Sequence, residues 1–163
     1  MKIAFLTSGG NAPCLNSSIG RLLSNFGKID EDVHAIGYLN GFAGLLKGNS
    51  IDLSTEFCSE GITPFYNYGG SFIGNSRVKL TNISDCLKKE LIKKNEIPLE
   101  VAAQQLIKDK IEILFTIGGD DTNTTAKDLQ EYIHLQNIEM TVIGIPKTID
   151  NDIYPIRRSL GAY

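Results

Sequence analysis

The sequence predicts an α/β fold in which a mostly parallel, doubly wound sheet lies between two layers of helices. Short apolar runs alternate along the chain with amphipathic segments of helical period, an order typical of βα units that form a parallel sheet. Two of the runs, 111–117 (IEILFTI) and 141–145 (TVIGI), are bounded by glycine or proline and have the composition of buried strands. The predicted architecture is therefore Rossmann-like, with three layers.

Length and composition limit the class of protein. With 163 residues the chain is long enough for one compact domain with a hydrophobic core, but short for a two-lobed enzyme. Its hydrophobic content of 42% and charged content of 21% are typical of a soluble globular protein. A net charge of −3 argues against a nucleic-acid or anionic-membrane partner, although a local cation can still reverse the sign of a single site.

The predicted compartment is the cytoplasm. The N-terminus lacks the pattern of a secretory signal, and no apolar run approaches the roughly 18 residues that a membrane-spanning helix needs. The three cysteines, Cys14, Cys58 and Cys86, are odd in number and include no Cys-x-x-Cys pair, so we expect reduced thiols. The two histidines, His34 and His134, are too few and too far apart for a zinc site.

The first elements along the chain are a strand, a loop, a helix and a second strand. Residues 2–7 form the first strand, and residues 8–13 form a tight loop of small residues. Asn16 or Ser17 could cap the helix that follows. The apolar face of this helix consists of Ile19, Leu22, Leu23 and Phe26. Residues 33–39 then form the second strand.

The middle of the chain is less regular. Residues 41–48 contain three glycines among apolar residues and predict a turn with a short helical piece. Residues 65–77 are predicted to be loop. A helix begins at Thr81 and runs to about residue 95, with Asn82 or Ser84 as its cap.

Two further helices complete the pattern. Pro98 opens one of them, at a position where a missing N–H is harmless. The side chains expected to pack this helix against the sheet are Val101, Ala102, Ala103 and Leu106. Thr122 or Asn123 is expected to cap another helix that runs through Leu135. Residues 153–163 resemble the entry to one more helix.

Acidic motifs follow two of the predicted strands. Residues 118–121 (GGDD) come directly after the strand at 111–117, and residues 146–152 (PKTIDND) follow the strand at 141–145. Ligands of open α/β sheets bind just past the carboxyl ends of the strands. We therefore expect both motifs to converge on one pocket.

The residue types in these motifs suit phosphate chemistry. Two glycines open space for a phosphate chain, and Asp120 is then placed to hold Mg²⁺, which takes one or two carboxylates plus phosphate oxygens. The alternative for Asp121 is that it only stabilises the helix dipole. In the second motif a carboxylate can act as general base, and Lys147 can neutralise charge on a transferring phosphoryl group. Ile149, between polar neighbours, is expected to be a core side chain.

The glycine-containing loop at residues 8–10 (SGG) is a weaker signal. It lies between a predicted strand and a helix, where backbone N–H groups can approach an anion. A purely structural turn would have the same sequence. The loop is neither a Walker loop nor a G-x-G-x-x-G dinucleotide fingerprint.

Taken together, the motifs resemble those of the 6-phosphofructokinase family, in the same order and at suitable spacing. The matching segments are Gly9-Gly10 with Ala12-Pro13, Gly69-Gly70 through Gly74-Asn75-Ser76-Arg77, Gly118-Gly119-Asp120, and Thr148-Ile149-Asp150-Asn151-Asp152. The resemblance spans essentially the whole chain, and its last segment is the most specific. It implies Mg²⁺-dependent phosphoryl transfer to the 1-hydroxyl of fructose 6-phosphate.

The resemblance also implies a role for individual residues. Asp150 would be the general base, assisted by Lys147, and Asp120 would be the Mg²⁺ ligand. Gly10 and Arg77 would contact the phosphoryl donor. The sugar-phosphate side of the site would consist of Thr148, Ile149, Asp150 and Asp152.

Two positions point to the pyrophosphate-dependent branch of the family. Members that use ATP typically have glycine where this chain has Asp121 and Lys147. A carboxylate at Asp121 would meet the α-phosphate of ATP with both bulk and like charge, whereas Lys147 would favour a pyrophosphate leaving group. Residues 12–15 and 75–80 also resemble this branch. The implied partners are fructose 6-phosphate and pyrophosphate, with ATP the less favoured donor.

The chain also departs from the family pattern. Many members have aspartate where this chain has Asn11, which removes one carboxylate near the donor phosphates. The sugar-phosphate ligands of the family that lie beyond position 163 are not in this sequence, so residues 1–163 are expected to be an incomplete N-terminal lobe that binds the donor and carries the catalytic groups. The full-length form is expected to be a homo-oligomer. The alternatives are an ATP-dependent 6-phosphofructokinase and a non-catalytic, truncated or regulatory chain.

Overall fold

The computed structural model describes residues 1–54 and 63–162. In chain order its elements are β1 (Lys2–Ser8), α1 (Cys14–Ile29), β2 (His34–Tyr38), α2 (Phe42–Lys47), β3 (Ser50–Asp52), α3 (Thr63–Asn67), β4 (Asn75–Ser76), α4 (Ile83–Lys88), α5 (Pro98–Lys108), β5 (Ile113–Gly118), α6 (Asp120–Leu135) and β6 (Thr141–Pro146). The strands and helices that the sequence predicts are present in the predicted order, and α3, β3 and β4 are additions to it.

The sheet has the order β3-β2-β1-β5-β6, with β1 at its centre. β1, β2, β5 and β6 run parallel, and β3 runs antiparallel to β2. The short strand β4 pairs in parallel with the end of β1, at Thr7 and Ser8, beyond the part of β1 that pairs with β2. The predicted mostly parallel sheet is therefore confirmed, with β3 and β4 as additions.

Apolar side chains alternate between the two faces of β1, and each face is covered by helices. Ala4 and Leu6 belong to one core, which contains side chains of α2, α4, α5 and α6. Ile3 and Phe5 belong to the other, which contains side chains of α1 and α3. Phe5 stacks on Phe115 of β5 with ring centroids 5.2 Å apart. The sheet is thus covered on both faces, which confirms the doubly wound, three-layer prediction.

The predicted cap of α1 is wrong, because the helix begins at Cys14, directly after Pro13. Asn16 lies inside the helix and is fully buried. Its side-chain Nδ2 donates to the carbonyl of Tyr68 at 2.9 Å, and its Oδ1 accepts from the backbone N–H of Phe72 at 2.7 Å. Asn16 therefore fixes the glycine-containing segment next to the site instead of the end of its own helix.

The predicted cap of α6 is also wrong, because this helix begins at Asp120. Asn123 lies in its first turn, where Nδ2 donates to the carbonyls of Gly118 and Gly119 at 2.9 and 2.8 Å. Thr122 is buried close to Gly9, in the turn after β1, and to Gly118, in the turn after β5. Both residues thus stabilise the turn between β5 and α6 from positions inside the helix.

Three other boundaries differ from the prediction. The helix expected from Thr81 is α4, capped by Asn82 as predicted, but it ends at Lys88 because Glu90 adopts a left-handed conformation with φ 54°. Residues 65–77 are not entirely loop, since they contain the end of α3 and the strand β4. Residues 153–162 form turns and a bridge between Lys147 and Leu160, not the expected helix entry.

The remaining expectations concern cysteines and membranes. Cys14 and Cys86 are free thiols, as predicted, and Cys58 lies outside the described residues. Within residues 1–54 and 63–162, no helix is both long and apolar enough to cross a membrane. His134 is exposed at the end of α6.

Candidate active site

A cavity of about 900 Å³ lies at the carboxyl ends of β1, β4, β5 and β6. The nine site residues that the sequence predicts all line it, namely Gly10, Arg77, Asp120, Asp121, Lys147, Thr148, Ile149, Asp150 and Asp152. They converge because the carboxyl ends of parallel strands meet at one edge of the sheet. The prediction of a single pocket is confirmed, while the role of each side chain remains a prediction.

The two glycine-containing turns pack against each other at the base of this cavity. Gly9, after β1, has a φ of +86°, a backbone conformation that favours glycine. A Cβ added at Gly118, at the end of β5, would meet Thr122 Oγ1 and lie 2.5 Å from the carbonyl oxygen of Ser8. The sequence therefore needs glycine here for close packing of the two turns as well as for access to a ligand.

The acidic turn after β5 presents two carboxylates at the start of α6. Asp120 and Asp121 are both exposed, and they occupy the first two positions of the helix, where the dipole favours negative charge. Asp121 Oδ1 lies 2.8 Å from Lys79 Nζ, which follows β4. No ion pair of Asp120 is present within the described part of the chain. Of the two carboxylates, Asp120 is thus the one without a cationic partner among residues 1–54 and 63–162.

Lys147 connects the end of β6 to the other two turns. Its side chain is buried, with 8% of the residue exposed. Its backbone N–H donates to the carbonyl of Gly118 at 2.7 Å, and its Nζ donates to the carbonyl of Gly10. A buried ammonium that is held by a single backbone carbonyl keeps donor capacity for a ligand.

The segment after Lys147 carries the remaining acidic side chains. The backbone N–H of Asp150 donates to Thr148 Oγ1 at 3.1 Å, and this hydroxyl lies 3.2 Å from Asp152 Oδ1, to which it donates. Asp150 and Asp152 are both exposed to the cavity. Ile149 is 79% exposed, so the prediction that it belongs to the core is wrong. Ile149 lies in an exposed turn beyond the edge of the sheet, where the core does not reach its side chain.

Lys79 and Cys14 are among the residues of the cavity wall to which the sequence prediction gave no role. Lys79 follows β4 and lines the cavity with Arg77, and it lies in the segment 75–80 that resembles the pyrophosphate-dependent branch, a signal that could have identified it. Burial raises the pKa of the Cys14 thiol, against smaller opposite effects of a backbone hydrogen bond and of Lys147. A raised pKa disfavours the thiolate, which is the nucleophilic form of cysteine.

The charge balance of the cavity suits a metal-bound phosphate. Its charged lining residues are Asp120, Asp121, Asp150, Asp152, Arg77, Lys79 and Lys147. The described residues contain no group of three or more His, Cys, Asp or Glu side chains that could hold a metal ion alone. A site of this composition fits a cation that is bound by one carboxylate together with the oxygens of a phosphate ligand, which is the usual mode of Mg²⁺.

The phosphofructokinase family model matches residues 2–163, essentially the whole chain. The fold and the order of the site motifs agree with this match. The chain therefore belongs to the phosphofructokinase family.

Individual relatives give a finer comparison. The chain is 52% identical over 162 residues to pyrophosphate–fructose 6-phosphate 1-phosphotransferase of Methylomonas methanica. The aligned region covers 99% of this chain and 39% of that protein. It is 37% identical over 152 residues to ATP-dependent 6-phosphofructokinase of Thermotoga neapolitana. Here the aligned region covers 93% of this chain and 40% of that protein. The chain thus spans less than half the length of these relatives.

A solved structure supports the fold. The pyrophosphate-dependent phosphofructokinase of Marinobacter aquaeolei superimposes with a TM-score of 0.74 at 24% identity, over 95% of this chain and 36% of that one. At this level of identity the similarity establishes the fold and does not extend to the choice of substrate.

Proposed function

We propose that the protein containing residues 1–163 transfers a phosphoryl group from pyrophosphate to the 1-hydroxyl of fructose 6-phosphate. The observation that supports this most directly is that Asp121, Lys147 and Asp150 line one cavity. The first two side chains distinguish pyrophosphate from ATP as donor, and the third is the candidate base. The 52% identity to a pyrophosphate-dependent relative supports the same donor.

In the proposed reaction Asp150 accepts the proton of the 1-hydroxyl of fructose 6-phosphate. The oxygen of this hydroxyl attacks a phosphorus atom of pyrophosphate. A P–O bond forms, the bridging P–O bond breaks, and inorganic phosphate leaves. Asp150 suits this role because its carboxylate is exposed to the cavity, while its backbone N–H is held by Thr148. General-base catalysis of this kind contributes about 10²–10⁴ in rate.

Lys147 is proposed to stabilise the charge that develops on the transferred and leaving groups. Its burial excludes water, which strengthens its interaction with phosphate oxygens. The donation of its Nζ to Gly10 holds the ammonium at the loop where the donor is expected to bind. Charge neutralisation and positioning dominate phosphoryl transfer.

Mg²⁺ is the cofactor that this reaction would use. Asp120 is the residue proposed to hold it, together with phosphate oxygens of the donor, and the ion would neutralise phosphate charge when bound. Asp120 fits because its carboxylate is exposed at the strand end and lacks a cation among the described residues, whereas Asp121 is paired with Lys79.

The remaining residues are assigned to the two substrates. Gly10 and Arg77 line the side of the cavity formed by the ends of β1 and β4, and they are proposed to contact pyrophosphate. The sugar phosphate is proposed to contact Thr148, Ile149 and Asp152, in the segment that follows β6. We also propose that the complete protein is cytoplasmic and assembles as a homo-oligomer.

ATP is the alternative donor, since one relative with 37% identity is ATP-dependent. Asp121 argues against it, because its carboxylate lines the cavity in which the donor is proposed to bind and would repel the α-phosphate. Lys79 reduces this negative charge but adds its own bulk in the same region.

The test is a donor comparison with the complete translation product of the reading frame that carries residues 1–163. The purified protein is given fructose 6-phosphate and Mg²⁺ with either pyrophosphate or ATP, and fructose 1,6-bisphosphate is measured with a coupled enzyme assay. Turnover with pyrophosphate alone is the expected result. Preference for ATP would overturn the proposed donor, and no turnover with either would favour a non-catalytic chain.

A further inference from the structure

Ser159 is a buried polar residue that does not line the candidate active site. It lies in the segment that returns to the sheet after the acidic motif, and 7% of its surface is exposed. Nothing in the sequence motifs distinguishes it. A buried hydroxyl needs hydrogen-bond partners, so its contacts indicate what this part of the chain is built to hold.

The hydroxyl and the backbone N–H of Ser159 both contact the acidic motif. Its Oγ donates to the carbonyl oxygen of Thr148 at 2.8 Å, and its backbone N–H donates to Asn151 Oδ1 at 2.8 Å. The Oγ also lies 3.3 Å from Asn151 Oδ1. Because a hydroxyl carries one proton, the shorter contact to Thr148 is its main donation. Ser159 thus holds the residues on either side of Asp150.

Asn151 reinforces the same connection. It has a left-handed backbone with φ 52°, which a non-glycine residue keeps when its surroundings hold it there. Its Nδ2 donates to the carbonyl of Arg157 at 3.2 Å. Next to Ser159, the backbone of Leu160 donates to Pro146 at 2.9 Å and accepts from Thr148 at 3.1 Å. The turn is therefore closed at its base by Ser159 and Leu160.

The acidic side chains on this turn are not held by packing. Asp150 and Asp152 are exposed, and neither forms an ion pair within the part of the chain that the structure describes. Asp152 accepts a hydrogen bond from Thr148 Oγ1 at 3.2 Å, whereas the described residues offer no hydrogen bond to the Asp150 carboxylate. The position of Asp150 is therefore set mainly by the backbone that carries it. An error of about 1 Å in the position of a catalytic group can reduce the rate on the order of a hundredfold.

We propose that Ser159 is a positioning residue, which fixes the backbone at Thr148 and Asn151 and thereby holds the Asp150 carboxylate in its reactive position. This inference rests on the proposed function, because it assigns Ser159 a role in the same reaction. It does not require Ser159 to contact a substrate.

The test compares Ser159→Ala and Ser159→Thr with the wild type in the complete translation product. Ser159→Ala removes the hydroxyl donor, whereas Ser159→Thr keeps it. Ser84→Ala is the matched control, because the Ser84 hydroxyl also makes one hydrogen bond, to Asn82 at 2.9 Å, and is outside the cavity. For each protein kcat, KM and the urea midpoint are measured, together with amide hydrogen exchange over residues 146–160.

We expect Ser159→Ala to lower kcat on the order of ten- to a hundredfold, with a smaller change in KM. Amide exchange at Thr148 should become faster, while exchange in β1 and β5 should be unchanged. Ser159→Thr should recover kcat to within a few-fold of the wild type. Ser84→Ala should leave kcat and the exchange of residues 146–160 unchanged.

Two results would overturn the inference. One is wild-type kcat in Ser159→Ala, and the other is unchanged exchange at Thr148, which would mean that the hydroxyl does not hold this turn. The exchange measurement requires no turnover, so it tests the contact even if the wild type is inactive. A wild type without activity would instead contradict the proposed function.

Discussion

Lys79 Nζ lies 2.8 Å from Asp121 Oδ1, and this contact joins the segment after β4 to the first turn of α6. The side chains are 45% and 72% exposed, so water screens the pair. The ion pair is therefore a weak source of stability. Both side chains line the cavity, so we expect the pair to affect mainly which phosphoryl donor can bind.

Removing the carboxylate of Asp121 should weaken donor discrimination. Asp121→Ala removes the charge and bulk that oppose the α-phosphate, so we expect the ratio of kcat/KM for ATP to that for pyrophosphate to rise at least about tenfold, which corresponds to roughly 1.4 kcal/mol. Initial rates with each donor measure the ratio. Asp128→Ala, on the same helix and outside the cavity, is the control and should leave it unchanged. An unchanged ratio in Asp121→Ala would remove Asp121 from donor selection.

Removing the ammonium of Lys79, the other partner of the ion pair, should have little effect on the free energy of unfolding. Lys79→Met keeps the aliphatic part of the side chain, so we expect the free energy of unfolding to change by no more than about 1 kcal/mol. Urea denaturation at low and high salt measures the change. A loss well above this value, insensitive to salt, would mean that the pair is a structural element of the fold.

Close packing of the two turns should make Gly118 intolerant of a side chain. In Gly118→Ala the new methyl group would meet Thr122 and the carbonyl of Ser8, so we expect a loss of about 1–3 kcal/mol in the free energy of unfolding. Gly69→Ala is the control, because an added Cβ at Gly69 has no neighbour within 4 Å. For Gly69→Ala we expect the free energy of unfolding to change by no more than about 0.5 kcal/mol. Equal urea midpoints for both variants would contradict the packing of the turns.

Alkaline conditions should destabilise the fold through Tyr38. Burial raises the pKa of Tyr38, and so does the hydrogen bond that its hydroxyl donates to Asp109 at 2.7 Å. Because the folded state favours the protonated form, this contribution is fully present below the ordinary tyrosine pKa of about 10 and is lost as the pH rises above it.

The measurement is the urea midpoint as a function of pH in the wild type and in Tyr38→Phe. The wild type should lose stability more steeply than the variant above about pH 10. Tyr66→Phe is the control, since Tyr66 is 49% exposed. Parallel curves for the wild type and Tyr38→Phe would contradict the role of this buried hydroxyl.

The sequence predicted the sheet and the location of the site because both depend on short patterns. The apolar run at 111–117 became the buried strand β5, and the run at 141–145 became β6, which ends at Pro146. The prediction that β6 is buried is wrong, because this strand lies at the edge of the sheet and its residues are exposed or half-buried. The order of adjacent parallel strands then placed the two acidic motifs at one edge. These relationships require only local periodicity and one topological rule.

The starts of α1 and α6 could not be predicted in the same way, because tertiary partners override local preference, whereas the Asn82 cap of α4 was predicted correctly. Asn16 has the side chain of a good cap, but Tyr68 and Phe72 use its amide from within the core. Ser159 was missed for a related reason. Its significance comes from a contact with Thr148, 11 positions away, and no local pattern records such a contact.

The most direct test of the account is the formation of fructose 1,6-bisphosphate from fructose 6-phosphate, pyrophosphate and Mg²⁺, followed by ³¹P NMR. It compares the wild type with Asp150→Asn and with the control Asp128→Asn. We predict product with the wild type and the control, and a loss of about 10²–10⁴ in rate for Asp150→Asn. Turnover of Asp150→Asn within a few-fold of the wild type would contradict the assignment of Asp150 as the base and, with it, the mechanism proposed for this cavity.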